Sequence, residues 1–132
     1  MMNFLASRFA RVLARVVLTF VFWSAALAKL IGFNEGVAEM AHFGLNPPAV
    51  FNVAVIVVLL VGSALVIFDV FAWLGAGILI VFTALTIPIA HNFWTMSGPV
   101  RLAEFHVVME HISLIGGLMV VACMSAMQRR VR

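Results

Sequence analysis

Five ionisable side chains lie within or beside stretches of sequence that are otherwise almost entirely apolar. An ionisable group inside hydrocarbon costs about 2.5–3.5 kcal/mol on insertion scales, so each one needs a partner, a route to water or a function. Neutral histidine and a tuned carboxylate are suited to exchanging protons with a ligand near neutral pH. The sequence therefore predicts a ligand or proton pocket in the outer half of the protein. Its candidate residues are Lys29, His91, His106, Glu110 and His111.

Polar and small residues form a stripe on the last apolar segment. They recur at spacings of four, three and four, which is one face of a helix: His106, Glu110, Ser113 and Gly117. If this segment enters the membrane near Ala103, Glu110 lies about 10 Å deep, at about 1.5 Å per residue. We therefore predict that the stripe faces inward and that Lys29, at similar depth, contacts Glu110. Such an ion pair either serves a function or only fixes helix register. His111 lies about 100° away from the stripe and is expected to face a different neighbour.

His91 and His106 are the candidates for metal or haem ligands, since facing helices of a bundle often carry such sites. The chain lacks the Cys-x-x-Cys-His motif of haem attachment. Hydrogen bonding or contact with interfacial water is the alternative role for both histidines, and we expect no metal site. A single cysteine, Cys123, excludes an internal disulfide.

Four long apolar segments are the elements that must position these residues. The chain has 132 residues, of which 65% are hydrophobic and 10% charged. That is more apolar surface than one water-soluble core can bury, so lipid is the solvent. Because a spanning backbone must satisfy its own hydrogen bonds, segments of about 20 apolar residues must be helices. We predict an all-α, single-domain protein, residues 1–132, folded as a four-transmembrane-helix antiparallel bundle. The predicted helices cover residues 12–31, 50–68, 71–90 and 99–127.

A short amphipathic helix is predicted between the first two spanning helices, over residues 34–43. Its apolar side comprises Phe33, Val37, Met40 and Gly44. Its polar side comprises Glu35, Glu39, His42 and Asn46. On the outer surface this helix either caps the mouth of the bundle or lies undocked at the interface. We favour the undocked arrangement.

Basic residues are concentrated near the two chain ends: Arg8, Arg11, Arg15, Arg129, Arg130 and Arg132. Only Lys29 and Arg101 lie near the other ends of the segments. Since cytoplasmic flanks carry the excess of lysine and arginine, both termini are predicted to be cytoplasmic. We interpret the arginines as membrane anchors, the cytoplasmic half as plain packing, and the net charge of +3 as no sign of a nucleic-acid partner.

Four motifs in this order resemble the DoxX family of small bacterial membrane proteins: FWSAALAKLIGF, HFGLNPP, HNFW and SLIGGLMV. The resemblance extends over essentially the whole chain and implies a four-helix protein of the bacterial inner membrane. The positions that match family motifs are Lys29, His91, Phe93, Trp94, Gly116 and Gly117. The chain departs from the family pattern at Leu59, where relatives carry an acid, and at Glu110 and His111, where relatives carry a Lys-Asn pair. Between the second and third predicted helices, the chain has Asp69 where relatives have a basic turn.

The resemblance also implies a membrane subunit of an oxidoreductase system, with thiosulfate oxidation and a quinone acceptor as one example. We expect an accessory subunit that interacts with a quinone or a redox partner protein in its outer half. Enzymatic activity and any further cofactor are left open. One alternative is a small proton-coupled transporter or exporter, acting as a homo-oligomer, in which Glu110 alternates between a proton and a cationic substrate. The other is a structural helix bundle whose only partner is the lipid bilayer.

Overall fold

The computed structural model describes residues 1–132 and contains seven α-helices, one 3-10 turn and no strand. The helices are α1 (Met2–Leu5), α2 (Arg8–Leu18), α3 (Phe20–Ile31), α4 (Phe33–His42), α5 (Pro48–Ile67), α6 (Ala72–Ala90) and α7 (Gly98–Val131), with the 3-10 turn at Phe93–Thr95. The predicted all-α class is confirmed. Residues of α2 and of the last turns of α7 line one cavity. Both chain ends therefore lie at the same end of the molecule, here called the terminal side; the opposite end is the His91 side.

Three helices, α5, α6 and α7, are long and apolar enough to cross a membrane. The pair α2 and α3 meets the same requirement as a fourth span, but the two helices are bent by 55°. The single straight helix predicted over residues 12–31 is therefore wrong, because the chain breaks at Thr19. The buried Thr19 hydroxyl donates to the Arg15 carbonyl at 2.7 Å, and Trp23 Nε1 donates to the Val16 carbonyl at 3.2 Å. These side chains supply hydrogen bonds where the helical ladder is interrupted.

One apolar core joins α3, α5, α6 and α7. Its buried residues are Phe22, Ala26, Leu59, Val66, Ala76, Leu79 and Leu118. The helices α5 and α6 approach closely at Gly62 and Gly75, where a Cβ atom on Gly75 would lie 2.8 Å from the Gly62 carbonyl oxygen. Small residues at a crossing let two membrane helices pack backbone to backbone. This crossing fixes the antiparallel pair that carries His91 at its end.

The helix α7 is longer than a membrane span requires. Its 34 residues extend about 51 Å at about 1.5 Å per residue, whereas the hydrocarbon core is about 30 Å thick. On the terminal side, the Arg129 guanidinium lies 4.8 Å from the Phe71 ring centroid. On the other side, the His111 and His91 rings are 4.9 Å apart. The part of α7 that runs beside α6 is thus residues 111–129, and residues 98–110 extend past the end of α6.

The predicted amphipathic helix is present as α4, and it is docked. Gly36 and Met40 are buried. Gly36 lies so close to α5 that a Cβ atom there would be 2.4 Å from Asn52 Oδ1. Asn52 is fully buried and its Nδ2 donates to the Phe33 carbonyl at 3.4 Å. The undocked arrangement that the sequence favoured is therefore wrong, because a glycine gives α4 a flat contact with α5.

Candidate functional site

Three ionisable side chains meet where α6 ends and α7 begins. His91 directly follows α6, and its Nδ1 lies 2.5 Å from Oε2 of Glu104. The His91 ring also meets the His111 ring at a centroid distance of 4.9 Å and an angle of 71°. Glu104 and His111 are two helical turns apart and so lie on one face of α7. We call His91, Glu104 and His111 the His–Glu cluster.

The contact with Glu104 determines which nitrogen of His91 is free for chemistry. Nδ1 donates its hydrogen to the carboxylate, whether the ring is neutral or protonated, so Nε2 is the atom left to exchange a proton. Both side chains are only partly buried, with exposed fractions of 24% and 26%. The pair can therefore be reached by a ligand or by water.

Aromatic side chains flank the His–Glu cluster. Phe93, in the 3-10 turn, makes an edge-to-face contact with Phe105 of α7 at 5.3 Å. Trp94 contacts Phe93 at 5.4 Å and is itself exposed. Tryptophan is favoured at membrane interfaces, where one part of the ring is in lipid and the other in water. Phe93, Trp94 and Phe105 therefore form a small aromatic group at this end of the molecule.

Lys29 lies outside the His–Glu cluster. Its Nζ forms an ion pair with Oε2 of Glu39 in α4. The predicted contact between Lys29 and Glu110 is wrong, because the docked helix α4 brings a carboxylate to Lys29 first. Glu39 belongs to the polar side of α4 and remains about half exposed while it pairs with Lys29. Lys29 therefore holds α4 against α3.

The inward face predicted for α7 is wrong for three of its four residues; the fourth, Gly117, packs toward Leu18 of α2. The side chains of His106, Glu110 and Ser113 are exposed on the single chain. The fully or largely buried positions of this helix are Val108, Leu118 and Ser125. Because residues 98–110 extend past α6, the exposed His106 and Glu110 need no buried partner. Among the ionisable groups of this segment, only Glu104 pairs with a side chain, that of His91. Apolar side chains of the part of α7 beside α6, residues 111–129, fill the core instead.

A family comparison fits this helical architecture. The family model described as DoxX matches residues 10–92, more than half of the chain. The chain belongs to the DoxX family. This membership and the apolar helices make it a small multi-pass membrane protein. No curated protein and no solved structure matches this DoxX chain.

The family match ends one residue after His91. Lys29 and His91 lie inside the matched range of the DoxX family, whereas Glu104 and His111 lie on α7, outside it. The predicted resemblance of the Gly116 and Gly117 pair also falls outside the match and stays a prediction. The His–Glu cluster thus joins one residue of the matched region to two residues that follow it.

Sequence reasoning found two members of the His–Glu cluster and missed the third. Among the five candidates, the structure brings together His91 and His111 and pairs Lys29 with Glu39, while His106 and Glu110 are exposed on α7. Glu104 was missed because the membrane boundary was placed at Ala103. The seven-residue spacing between Glu104 and His111 was the available signal. No three His, Cys, Asp or Glu side chains of this DoxX family member are arranged to hold a metal ion.

The prediction that the half with the chain termini is plain packing is wrong. A cavity of about 860 Å³ opens there between α2, the end of α5 and the last turns of α7. Arg15 reaches across from α2, with its Nη1 2.8 Å from Asp69 Oδ1 and 3.1 Å from the Val66 carbonyl oxygen. The terminal arginines were interpreted as anchors only, because helix pairing around α2 is not visible in hydropathy.

Proposed function

We propose that this DoxX family member is an accessory subunit of a membrane oxidoreductase system, and that the His–Glu cluster exchanges protons with a quinone headgroup. The observation that carries the proposal is the pairing of His91 Nδ1 with the Glu104 carboxylate, beside His111, at the end of a membrane helix. A carboxylate-paired imidazole is a suitable group for passing protons near neutral pH.

The aromatic contacts are consistent with a quinone headgroup. Phe93 and Phe105 contact each other edge to face, and they lie close in sequence to His91 and Glu104 respectively. A quinone, when bound, supplies two-electron chemistry, with the electrons coming from a redox partner protein. The chain itself holds and moves the proton: Nε2 of His91 donates it, the hydrogen bond from Nδ1 to Glu104 fixes the orientation of the ring, and His111 lies next to His91 as a second exchange group.

We further propose that α2 and α3 together form the first of four antiparallel spans in a bacterial inner membrane, with both termini cytoplasmic. The excess of arginine on the terminal side supports this orientation. The length of α7 supports a position of the His–Glu cluster relative to the bilayer. If residues 111–129 cross the hydrocarbon beside α6, Glu104 and His91 lie at the outer bilayer surface.

A proton-coupled exporter is the second candidate, and one feature favours it. His106, Glu110 and Ser113 form an exposed polar row on α7, and a Cβ atom on the nearby Gly116 would meet nothing within 4 Å. Such a row becomes a site when a second copy of the chain covers it. In that case Glu110, rather than Glu104, is the functional carboxylate.

Photolabelling distinguishes the two carboxylates. The protein is purified, placed in lipid nanodiscs and irradiated with an azido derivative of ubiquinone, and the labelled peptide is found by mass spectrometry. We expect saturable label within residues 91–105, and a loss of about fivefold in Glu104→Gln, because a hydrogen bond to a charged group is replaced by a neutral one. Excess decylubiquinone should compete with the label.

Glu110→Gln is the matched control for this experiment. It makes the same chemical change on the same helix, at an exposed carboxylate outside the His–Glu cluster. We expect this variant to label as the wild type does. If Glu110→Gln lowers labelling and Glu104→Gln does not, the quinone assignment of the His–Glu cluster is wrong. The exposed polar row on α7 that contains Glu110 is then the site. Unchanged thermal unfolding of both variants shows that they fold.

A further inference from the structure

The cavity on the terminal side carries an excess of positive charge. Four arginines and one carboxylate line it: Arg8, Arg11, Arg15, Arg132 and Asp69. Three of these arginines follow at spacings of three and four, which places them on one face of α2. The Ser7 hydroxyl accepts from the Ala10 N–H at 3.1 Å and so fixes where α2 begins. The arginine face is therefore held toward the cavity by the helix itself.

The only carboxylate side chain that lines the cavity already forms a salt bridge with one arginine. Asp69 pairs with Arg15, whose side chain is 13% exposed and also donates to the Val66 carbonyl. Arg8 and Arg11 form no salt bridge in the structure. Both therefore present uncompensated guanidinium groups at the cavity. Guanidinium groups bind phosphate oxygens well, because their donors form a planar fork.

Apart from Gln128, the rest of the wall is apolar, and its position indicates where the ligand comes from. Ile67 and Phe68 line the cavity at the end of α5, where that apolar helix leaves the hydrocarbon. Met127 lines it from α7. A soluble phosphate compound would use the arginines but leave this apolar wall uncovered. A phospholipid uses both, with its phosphate at the arginines and its glycerol and upper acyl carbons along the apolar wall.

We propose that this cavity binds the headgroup of an anionic phospholipid from the leaflet on the terminal side. Basic pockets between membrane helices are suited to this class of ligand. The site is independent of the His–Glu cluster, which lies at the opposite end of α6. It gives the arginines of α2 a specific role, in which a bound lipid bridges the start of the chain and the end of α7.

Lipid retention tests this proposal. The purified, delipidated protein is mixed in detergent with phosphatidylglycerol or with phosphatidylcholine of the same acyl chains, and bound lipid is counted by native mass spectrometry. We expect phosphatidylglycerol to be retained preferentially. Arg8→Gln combined with Arg11→Gln should bind it roughly tenfold more weakly, and its thermal unfolding without lipid should stay close to wild type, since neither arginine forms a salt bridge.

The matched control removes two positive charges elsewhere. Arg101→Gln combined with Arg130→Gln changes two exposed arginines that do not line the cavity, and it should retain phosphatidylglycerol as the wild type does. Equal losses in the two double variants would overturn the proposal, because binding would then follow net charge alone. Displacement of the lipid by millimolar inorganic phosphate would also overturn it and assign the cavity to a soluble phosphate compound.

Discussion

Replacing Gly75 by alanine is expected to destabilise the protein by about 3 kcal/mol. A Cβ atom at this position would lie 2.7 Å from Leu65 Cβ and 2.8 Å from the Gly62 carbonyl oxygen. Neither atom can move by a side-chain rotation, so α5 and α6 would have to separate. That separation would open the core around Leu79 and Val66, which are fully buried. Unfolding in mixed detergent micelles, followed by circular dichroism, measures the loss.

Gly77→Ala is the control for Gly75→Ala. It makes the same substitution two residues further along α6, and a Cβ atom there would meet nothing within 4 Å. We expect this variant to be neutral or more stable by up to about 1 kcal/mol, because alanine restricts the unfolded chain more than glycine does. If the two variants have equal stability, the close crossing of α5 and α6 is wrong.

Replacing Gly36 by alanine is expected to undock α4, at a cost of about 2 kcal/mol. A Cβ atom there would lie 2.4 Å from Oδ1 and 2.9 Å from Cγ of Asn52. Moving the Asn52 amide away would break its bond to the Phe33 carbonyl, and its Oδ1 is already buried without a partner. The effect should be local, so amide hydrogen exchange of residues 33–42 is the measurement. Exchange there should accelerate while α5 and α6 stay protected.

A second substitution separates a steric effect from a general one. Asn52→Ala in the Gly36→Ala background removes the atoms that clash, and we expect it to restore part of the protection of α4. Gly116→Ala, at a helical position with open space around it, should leave exchange of α4 unchanged. Wild-type exchange in the Gly36→Ala variant would show that α4 does not dock on Asn52.

The sequence was most informative where the bilayer leaves few alternatives. The second and third predicted spans, residues 50–68 and 71–90, differ by at most two residues at each end from α5 and α6. Apolar segments of this length can only be helices in lipid, and Pro48 provides a helix start because its missing N–H needs no partner. Hydropathy does not report side-chain hydrogen bonds, so the break at Thr19 was not predicted.

The sequence did not show which side chains on different helices contact each other. Lys29 was assigned to Glu110 by depth, but depth was measured from an assumed boundary at Ala103. The structure instead pairs Lys29 with Glu39 of the docked helix α4. Glu104 was missed because it lies directly after the assumed boundary and so was not counted among the ionisable groups within the membrane. Pairing between helices depends on how two surfaces fit, and composition along one helix does not contain that information.

The central claim is that the His–Glu cluster lies at the bilayer surface rather than inside hydrocarbon. Labelling of single cysteines with a membrane-impermeant maleimide tests it, in a Cys123→Ser background. In lysed membranes we expect His106→Cys to react as readily as Gln128→Cys on the terminal side, while Met119→Cys, midway along the paired part of α7, is protected. Labelling of His106→Cys alone in intact spheroplasts would match the proposed orientation. Protection of His106→Cys to the same degree as Met119→Cys in lysed membranes would contradict the account.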